Sequence, residues 1–174
     1  MTRLEELFAP RIAVIVPDAI GSALAADLRA RFERTGYTRY TLLDRGSYDE
    51  LRDPGELEPM AALIAVTTEI TERSLVLAEA RVLQLVPGDY LLAHHDRVHD
   101  EHHIELILDL SPALVPNAAV HYRRDGDVYF EVPSRPCALS IVAREPSVTC
   151  NHVYVSKLHL DARVVRLVLL LRDA

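Results

Sequence analysis

The stretch RVLQLVPGDYLLAHHD, residues 81–96, marks the point where the sequence changes from helical to strand periodicity. A β-type run ends in Pro87-Gly88-Asp89, a combination typical of a tight turn, and a second run follows at once. In that second run His94 and Asp96 are two residues apart. Because side chains alternate along a strand, both point to one face of it and His95 points to the other. The stretch therefore predicts a strand that presents an imidazole and a carboxylate side by side.

The chain from residue 81 onward consists of short β-type runs. We predict eight strands there, over 82–86, 90–96, 104–110, 119–122, 128–132, 138–143, 148–155 and 163–171. Between two of them, Arg124-Asp125-Gly126-Asp127 is a strong hairpin signal. So many short strands in one block favour a sandwich, jelly roll or barrel over a βαβ sheet.

The first 80 residues carry most of the helical signal. Asp18 is a suitable N-cap, apolar residues follow it at helical spacing, and Gly36 is a suitable C-cap. Around this helix we predict strands over 11–16 and 37–43, a loop over 46–59 and a second helix over about 57–77. Such helices would cover the outside of the β core. Residues 1–174 are thus expected to form a single domain, with a helical support region (about 1–80) and a β core (about 81–174).

Composition excludes several classes of protein. A net charge of −7 argues against a nucleic-acid partner, because phosphate contacts need clustered Lys and Arg. The longest apolar stretch near the end, 164–171, is far too short to span a bilayer, and the N-terminus does not look like a secretory signal. Cys137 and Cys150 lack a C-x-x-C spacing, so we expect two reduced thiols. These features predict a cytoplasmic protein that binds neither membrane nor nucleic acid.

The His94 and Asp96 pair supplies two adjacent ligands for a metal ion. A third must come from another strand, and His152 is the best candidate; its rival, His159, lies in a less strand-like segment. Two histidines and one carboxylate on one face of an octahedral metal leave three positions open, as expected of a non-haem iron(II) oxygenase. The alternative is that these are polar strand residues and that His152 is a satisfied core histidine.

Four segments, in order, resemble the prolyl-hydroxylase-like branch of the iron(II)/2-oxoglutarate-dependent dioxygenases. They are 86–96, 104–111, 152–155 and Arg163, and residues 17–24 are similar to the helix entry before the core in that branch. The resemblance implies a double-stranded β-helix, a cupin-like jelly roll of the α+β, mainly β, class. It also implies Fe(II) on His94, Asp96 and His152, with 2-oxoglutarate and O₂ as co-substrates. The activity implied is hydroxylation of a C–H bond of a small molecule or a peptide side chain.

The same resemblance assigns Arg163 to the distal carboxylate of 2-oxoglutarate, which a planar guanidinium can bind bidentately. Arg166 is the fallback, and it faces the opposite side of the same strand. Tyr90 and Glu105 are further candidates for co-substrate binding. Glu105 stands where a small hydroxyl residue is common in the family, so it would either repel a dianion or pair with Arg163 and fill the site.

A second departure concerns residues 85–86, Leu-Val, where family members often have a tyrosine that helps hold 2-oxoglutarate. Two other functions therefore stay open. One is a cupin-like metalloenzyme that does not use 2-oxoglutarate, in which Glu105 joins or shields the site. The other is a non-catalytic β-barrel that binds a small ligand or a protein. The sequence identifies neither the substrate nor the oligomeric state.

Overall fold

Three helices and eleven strands follow one another along residues 4–9, 12–93 and 103–174, the part of the chain that the computed structural model describes. The helices are α1 (Leu4–Phe8), α2 (Ser22–Thr35) and α3 (Met60–Thr71). The strands are β1 (Ala13–Val16), β2 (Thr38–Leu42), β3 (Gly46–Arg52), β4 (Leu75–Leu85), β5 (Tyr90–Leu91), β6 (Ile104–Asp109), β7 (Val120–Arg124), β8 (Asp127–Val132), β9 (Leu139–Ala143), β10 (Val148–His152) and β11 (Val164–Asp173). Within those ranges, no helix is long and apolar enough to span a membrane.

The strands form one antiparallel sheet that is folded into two halves. The larger half has the order β1-β9-β6-β11-β4-β3, and the smaller half has the order β5-β10-β7-β8. A short pairing of β3 with β5 joins the halves, and β2 pairs with β3 outside this path. The result is the barrel-like jelly roll that the block of short strands predicted.

Strand β11 shows how the sheet separates two cores. Its residues Val165, Leu167 and Leu169 belong to the cluster that contains the helix residues Leu28 and Phe32. The alternate residues of β11, Val164 and Val168, belong to a second cluster with residues of the smaller half, such as Val120, Tyr122 and Val148. We call this second region the barrel interior. Because side chains alternate along a strand, every strand residue can be assigned to the helix side or to the barrel interior.

The predicted hairpin is confirmed in detail. Strand β7 ends at Arg124 and β8 begins at Asp127, so Asp125 and Gly126 form a two-residue loop. Both have positive φ, 53° and 90°. This is the backbone that a type I′ turn requires, and its twist matches that of the flanking strands.

Three predictions about the first half of the chain were wrong in their boundaries. Residues 46–52 of the predicted loop form β3, because the β2, β4 and β5 strands provide hydrogen-bonding partners. The second helix spans only Met60–Thr71, since Glu72 adopts a left-handed conformation and Leu75 already pairs with β11. The helix α2 begins at Ser22 rather than beside Asp18, although it ends at Gly36 as predicted.

Gly46 is the residue that allows β3 to approach β5. Its φ is +123°, and a Cβ at this position would lie 2.0 Å from the backbone oxygen of Tyr90. The neighbouring atom is backbone, so it cannot rotate away as a flexible side chain would. The junction between the two halves of the sheet therefore depends on a residue without a side chain.

We predict that Gly46→Ala lowers the free energy of unfolding by on the order of 2–4 kcal/mol, through backbone strain and the clash with Tyr90. Urea denaturation followed by circular dichroism measures this loss. Gly21→Ala is the matched control, because φ there is −76° and nothing lies within 4 Å of the added carbon. Its effect should stay within about 1 kcal/mol. Equal losses in the two variants would contradict the proposed role of Gly46.

Candidate active site

His152 lies at the end of β10 and faces the barrel interior. It pairs in register with Leu91 of β5 on one side and with Val120 of β7 on the other. It is only 4% exposed, and it is on the same side of β10 as Val148, a member of the interior cluster. Strand β10 therefore places one buried imidazole inside the barrel.

The other two predicted metal ligands, His94 and Asp96, lie outside the described residues. Ala93, the last described residue before them, is two positions beyond Leu91, the register partner of His152. Within residues 4–9, 12–93 and 103–174 there is no group of three His, Cys, Asp or Glu side chains that could hold a metal ion. The proposed triad therefore stays a prediction.

Arg166 is the interior residue that contacts His152. It is 2% exposed, and its Nη1 lies 2.7 Å from Nδ1 of His152 while Nη2 donates to the backbone oxygen of Ala118 at 3.0 Å. Burial lowers the pKa of the guanidinium below its ordinary value, an effect that the charge of Asp109 partly opposes. The Asp109 carboxylate itself accepts backbone N–H groups of Ser111 and Arg135.

No carboxylate of a described residue lies within ion-pair distance of Arg166. A buried cation without an anionic partner is costly, since desolvation of the charge is then only partly compensated. The planar fork of a guanidinium is suited to bidentate contact with a carboxylate. The barrel interior beside His152 therefore presents a buried guanidinium, a group that is able to bind a carboxylate.

Arg163 lies just before β11 and makes contacts outside the barrel interior. Its Nε donates to Oε1 of Gln84 at 2.7 Å, and Nη1 forms an ion pair with Glu33 of α2. Its side chain is 32% exposed. The two arginines that the sequence offered as carboxylate anchors thus have different environments, one paired with a glutamate and partly exposed, the other buried beside His152.

One alternative from the sequence was that Glu105 pairs with Arg163, and the structure shows different partners for Glu105. It is buried in the interior, where Oε1 accepts the Tyr122 hydroxyl at 2.6 Å and Oε2 forms an ion pair with Arg144. Burial, followed by the charge of Glu105, raises the pKa of Tyr122 well above its ordinary value. These partners neutralise the carboxylate that the sequence alone had suggested would repel a dianion.

The register separates Glu105 from Arg166 along the barrel. Glu105 pairs with Leu170 of β11, and Arg166 pairs with Asp109 of β6. The four intervening steps of strand correspond to about 13 Å. Glu105 and Arg166 therefore belong to two separate polar centres of the described interior, the first of which contains its own ion pair.

Three other candidates lie away from this interior. Tyr90 alternates with the interior residue Leu91, and its ring packs against Gly46. His159, the rival third ligand, is exposed in the segment before β11. His121 of β7 contacts Glu131 on the adjacent strand β8, with Nε2 3.1 Å from the carboxylate.

The contact between Arg166 and His152 sets a condition for metal binding. A guanidinium has only donors, so Nδ1 must accept, and in the neutral ring Nε2 then carries the hydrogen. A metal needs a lone pair on one of the two nitrogens. If it binds Nε2, the hydrogen moves to Nδ1; if it binds Nδ1, that lone pair is used. In either case His152 can serve as a ligand once the guanidinium has left Nδ1.

Sequence reasoning missed Arg144 and Tyr122, the two partners of Glu105. Arg144 directly follows β9 and had no motif around it, and Tyr122 was one of several aromatic residues on predicted strands. Tyr122 lies on β7, which pairs with β10 and β8 rather than with β6, and Arg144 follows Ala143, the register partner of Ile104, so both reach Glu105 through the folding of the sheet. Nothing local in the sequence carries that information.

The comparisons with known proteins are informative at the level of fold. No protein-family model matches the chain, and no curated protein matches it. Among solved structures, a prolyl-4-hydroxylase from Pseudomonas putida is similar with a TM-score of 0.72 at 15% identity, over 98% of this chain and 97% of that one. An oxidoreductase of the 2OG-Fe(II) oxygenase family from Burkholderia pseudomallei has a TM-score of 0.77 at 10% identity, over 97% and 89% of the two chains.

A third similar structure is HygX from Streptomyces hygroscopicus with nickel and 2-oxoglutarate bound. Its TM-score is 0.69 at 11% identity, over 100% of this chain and 88% of that one. The agreement over whole chains confirms the prediction of a double-stranded β-helix with outer helices. The protein has the fold of the 2-oxoglutarate-dependent oxygenases.

We predict that Glu105→Leu lowers the free energy of unfolding by about 3–5 kcal/mol, because it removes the buried carboxylate that forms an ion pair with Arg144. The double variant with Arg144→Met should recover most of that loss, since both charges are then removed. Urea denaturation of the two single variants and the double variant gives the coupling energy. If the losses of unfolding free energy in the two single variants simply add in the double variant, Glu105 and Arg144 are not energetically coupled.

Proposed function

We propose that this protein is an iron(II)- and 2-oxoglutarate-dependent oxygenase that hydroxylates a C–H bond. The observation that supports it most is the Arg166 guanidinium, which is buried beside His152 in a double-stranded β-helix and has no carboxylate partner among the described residues. A dicarboxylate co-substrate could pair with this guanidinium. The fold and this local chemistry point to the same ligand.

His94, Asp96 and His152 are the proposed iron ligands. When bound, iron(II) would supply the activation of O₂ that the oxidation of a C–H bond requires. The chain's own contribution is to hold the ligands in the barrel interior and to exclude water from it. His152 suits this role because it is buried and fixed between two neighbouring strands.

Arg166 is the proposed anchor for a carboxylate of 2-oxoglutarate. It faces the interior, whereas Arg163, the first choice from sequence, is paired with Glu33 and Gln84. Leaving those partners would cost Arg163 an ion pair and a hydrogen bond. Among the described residues, the contacts of Arg166 are with an imidazole nitrogen and one backbone oxygen.

Two other functions compete with this proposal. A cupin-like metalloenzyme would bind iron but not 2-oxoglutarate, and a non-catalytic β-barrel protein would bind no iron. In a cupin-like metalloenzyme, Glu105 would join the metal site, but both of its oxygens are engaged by Tyr122 and Arg144. Adding 2-oxoglutarate anaerobically to the iron-loaded protein should produce a charge-transfer absorption band in the proposed oxygenase. No new band would favour the cupin-like enzyme, and no stoichiometric iron would favour a non-catalytic protein.

The proposed substrate is a small molecule or a peptide side chain. A peptide side chain is supported by the likeness to a prolyl hydroxylase from Trichoplax adhaerens whose structure contains a peptide fragment. We further propose that the protein acts in the cytoplasm, in keeping with Cys137 and Cys150, which are thiols rather than a disulfide.

We predict that Arg166→Met weakens 2-oxoglutarate binding to the iron-loaded protein roughly 30-fold or more, because a desolvated charge pair is lost. Arg163→Met removes the same charge from the partly exposed arginine and should change affinity less than about threefold. The charge-transfer band, titrated anaerobically, measures both affinities. The opposite ranking would restore Arg163 as the anchor.

We predict that His152→Ala abolishes stoichiometric iron binding and, with it, the release of succinate from 2-oxoglutarate. His159→Ala is the control, since that histidine is exposed outside the barrel. Iron content after anaerobic reconstitution measures the first effect, and circular dichroism verifies folding. An iron content in His152→Ala equal to that of the unaltered protein would remove His152 from the ligand set.

A further inference from the structure

We propose that Arg166 couples metal binding at His152 to the binding of a carboxylate, so that a metal ion binds weakly until an anion has drawn the guanidinium away. This inference rests on the proposed function, because it takes His152 as a metal ligand. It adds a role for Arg166 besides anchoring the co-substrate. In this role Arg166 is a positioning residue that acts through the imidazole.

The imidazole of His152 is already engaged by Arg166. The 2.7 Å contact with Arg166 uses the lone pair of Nδ1, and metal binding through either ring nitrogen requires that contact to break. Metal and guanidinium therefore compete for His152. Breaking the contact is costly, because both side chains are buried and water has little access to replace the lost hydrogen bond.

The positive charge of Arg166 also opposes metal binding at His152. A divalent cation bound to His152 would lie close to a buried guanidinium, and like charges repel strongly where little water screens them. Among the described residues, no carboxylate lies within ion-pair distance of Arg166, and the proposed ligand Asp96 would offset only part of the charge of a divalent cation. A carboxylate that pairs with Arg166 would offset the repulsion, and it would give the guanidinium a partner in place of Nδ1.

Both arguments predict the same sign of coupling. An anion that binds Arg166 favours the state in which the guanidinium has left Nδ1 of His152. A metal bound to His152 favours the same state, in which the guanidinium pairs with an anion instead. By linkage each ligand then tightens the binding of the other. The anion needs only to reach Arg166, so a carboxylate that cannot chelate through a 2-oxo group should also produce the effect.

The test is calorimetric titration of the apo protein with Ni²⁺, which reports binding without turnover. For the unaltered protein we expect Ni²⁺ affinity to rise about tenfold with saturating succinate, within the usual range of coupling between sites. For Arg166→Met we expect tighter Ni²⁺ binding than in the unaltered protein without any anion, by about tenfold, and no response to succinate. Arg166→Gln should behave in the same way, and circular dichroism verifies the folding of both.

Arg172→Met is the matched control, because Arg172 lies on the same strand but is exposed. It removes the same charge, so it should leave both the Ni²⁺ affinity and its response to succinate unchanged. A general effect of net charge would appear equally in the two variants. The comparison therefore isolates the position of Arg166 beside His152.

Two patterns would overturn the proposal, and they can be told apart. If His152→Ala loses Ni²⁺ binding but Arg166→Met and Arg166→Gln bind Ni²⁺ no tighter than the unaltered protein, the coupling is wrong and the proposed ligand stands. If His152→Ala binds Ni²⁺ normally, or the unaltered protein binds none even with 2-oxoglutarate, the proposed metal site fails and the coupling fails with it.

Discussion

The alternation of side chains along β11 is the constraint on which the rest of the structure depends. This strand pairs with β4 on one side and β6 on the other, so its two faces must both be covered. One face packs against the helices, and the other closes the barrel interior. The same alternation directs Arg166 inward among apolar residues. A shift of one residue in register would exchange the two faces and bury a different set of side chains.

The interior balances its charges in two different ways. Glu105 and Arg144 neutralise each other, with Tyr122 as an additional donor, and their pairing completes the centre around them. Arg166 instead relies on an imidazole nitrogen and a backbone oxygen. Among the described residues Arg166 has no carboxylate within ion-pair distance, and in a region of low dielectric such a charge is more informative about function than a satisfied ion pair.

The fold and the proposed activity rest on different kinds of support. The whole-chain likeness to solved oxygenases, at 10–15% identity for the three structures described above, establishes the double-stranded β-helix. A fold of this kind can host unrelated chemistry, so activity must be argued from the site. His152 and Arg166 support the proposed activity, because their contact places a buried guanidinium beside an imidazole and limits the way in which a metal could use that imidazole.

The sequence by itself determined the type and order of most elements. Period-two runs identified the core strands, Asp125-Gly126 identified the hairpin, and Gly36 identified the end of α2, because these signals are local. Only the tertiary structure decided that residues 46–52 form a strand, since that depends on neighbours distant in sequence. Likewise the sequence showed that Arg163 and Arg166 face opposite sides of one strand, but the pairing of β11 with its neighbours decided which of them lies in the barrel interior. Register is a property of the assembled sheet, and a single strand does not contain it.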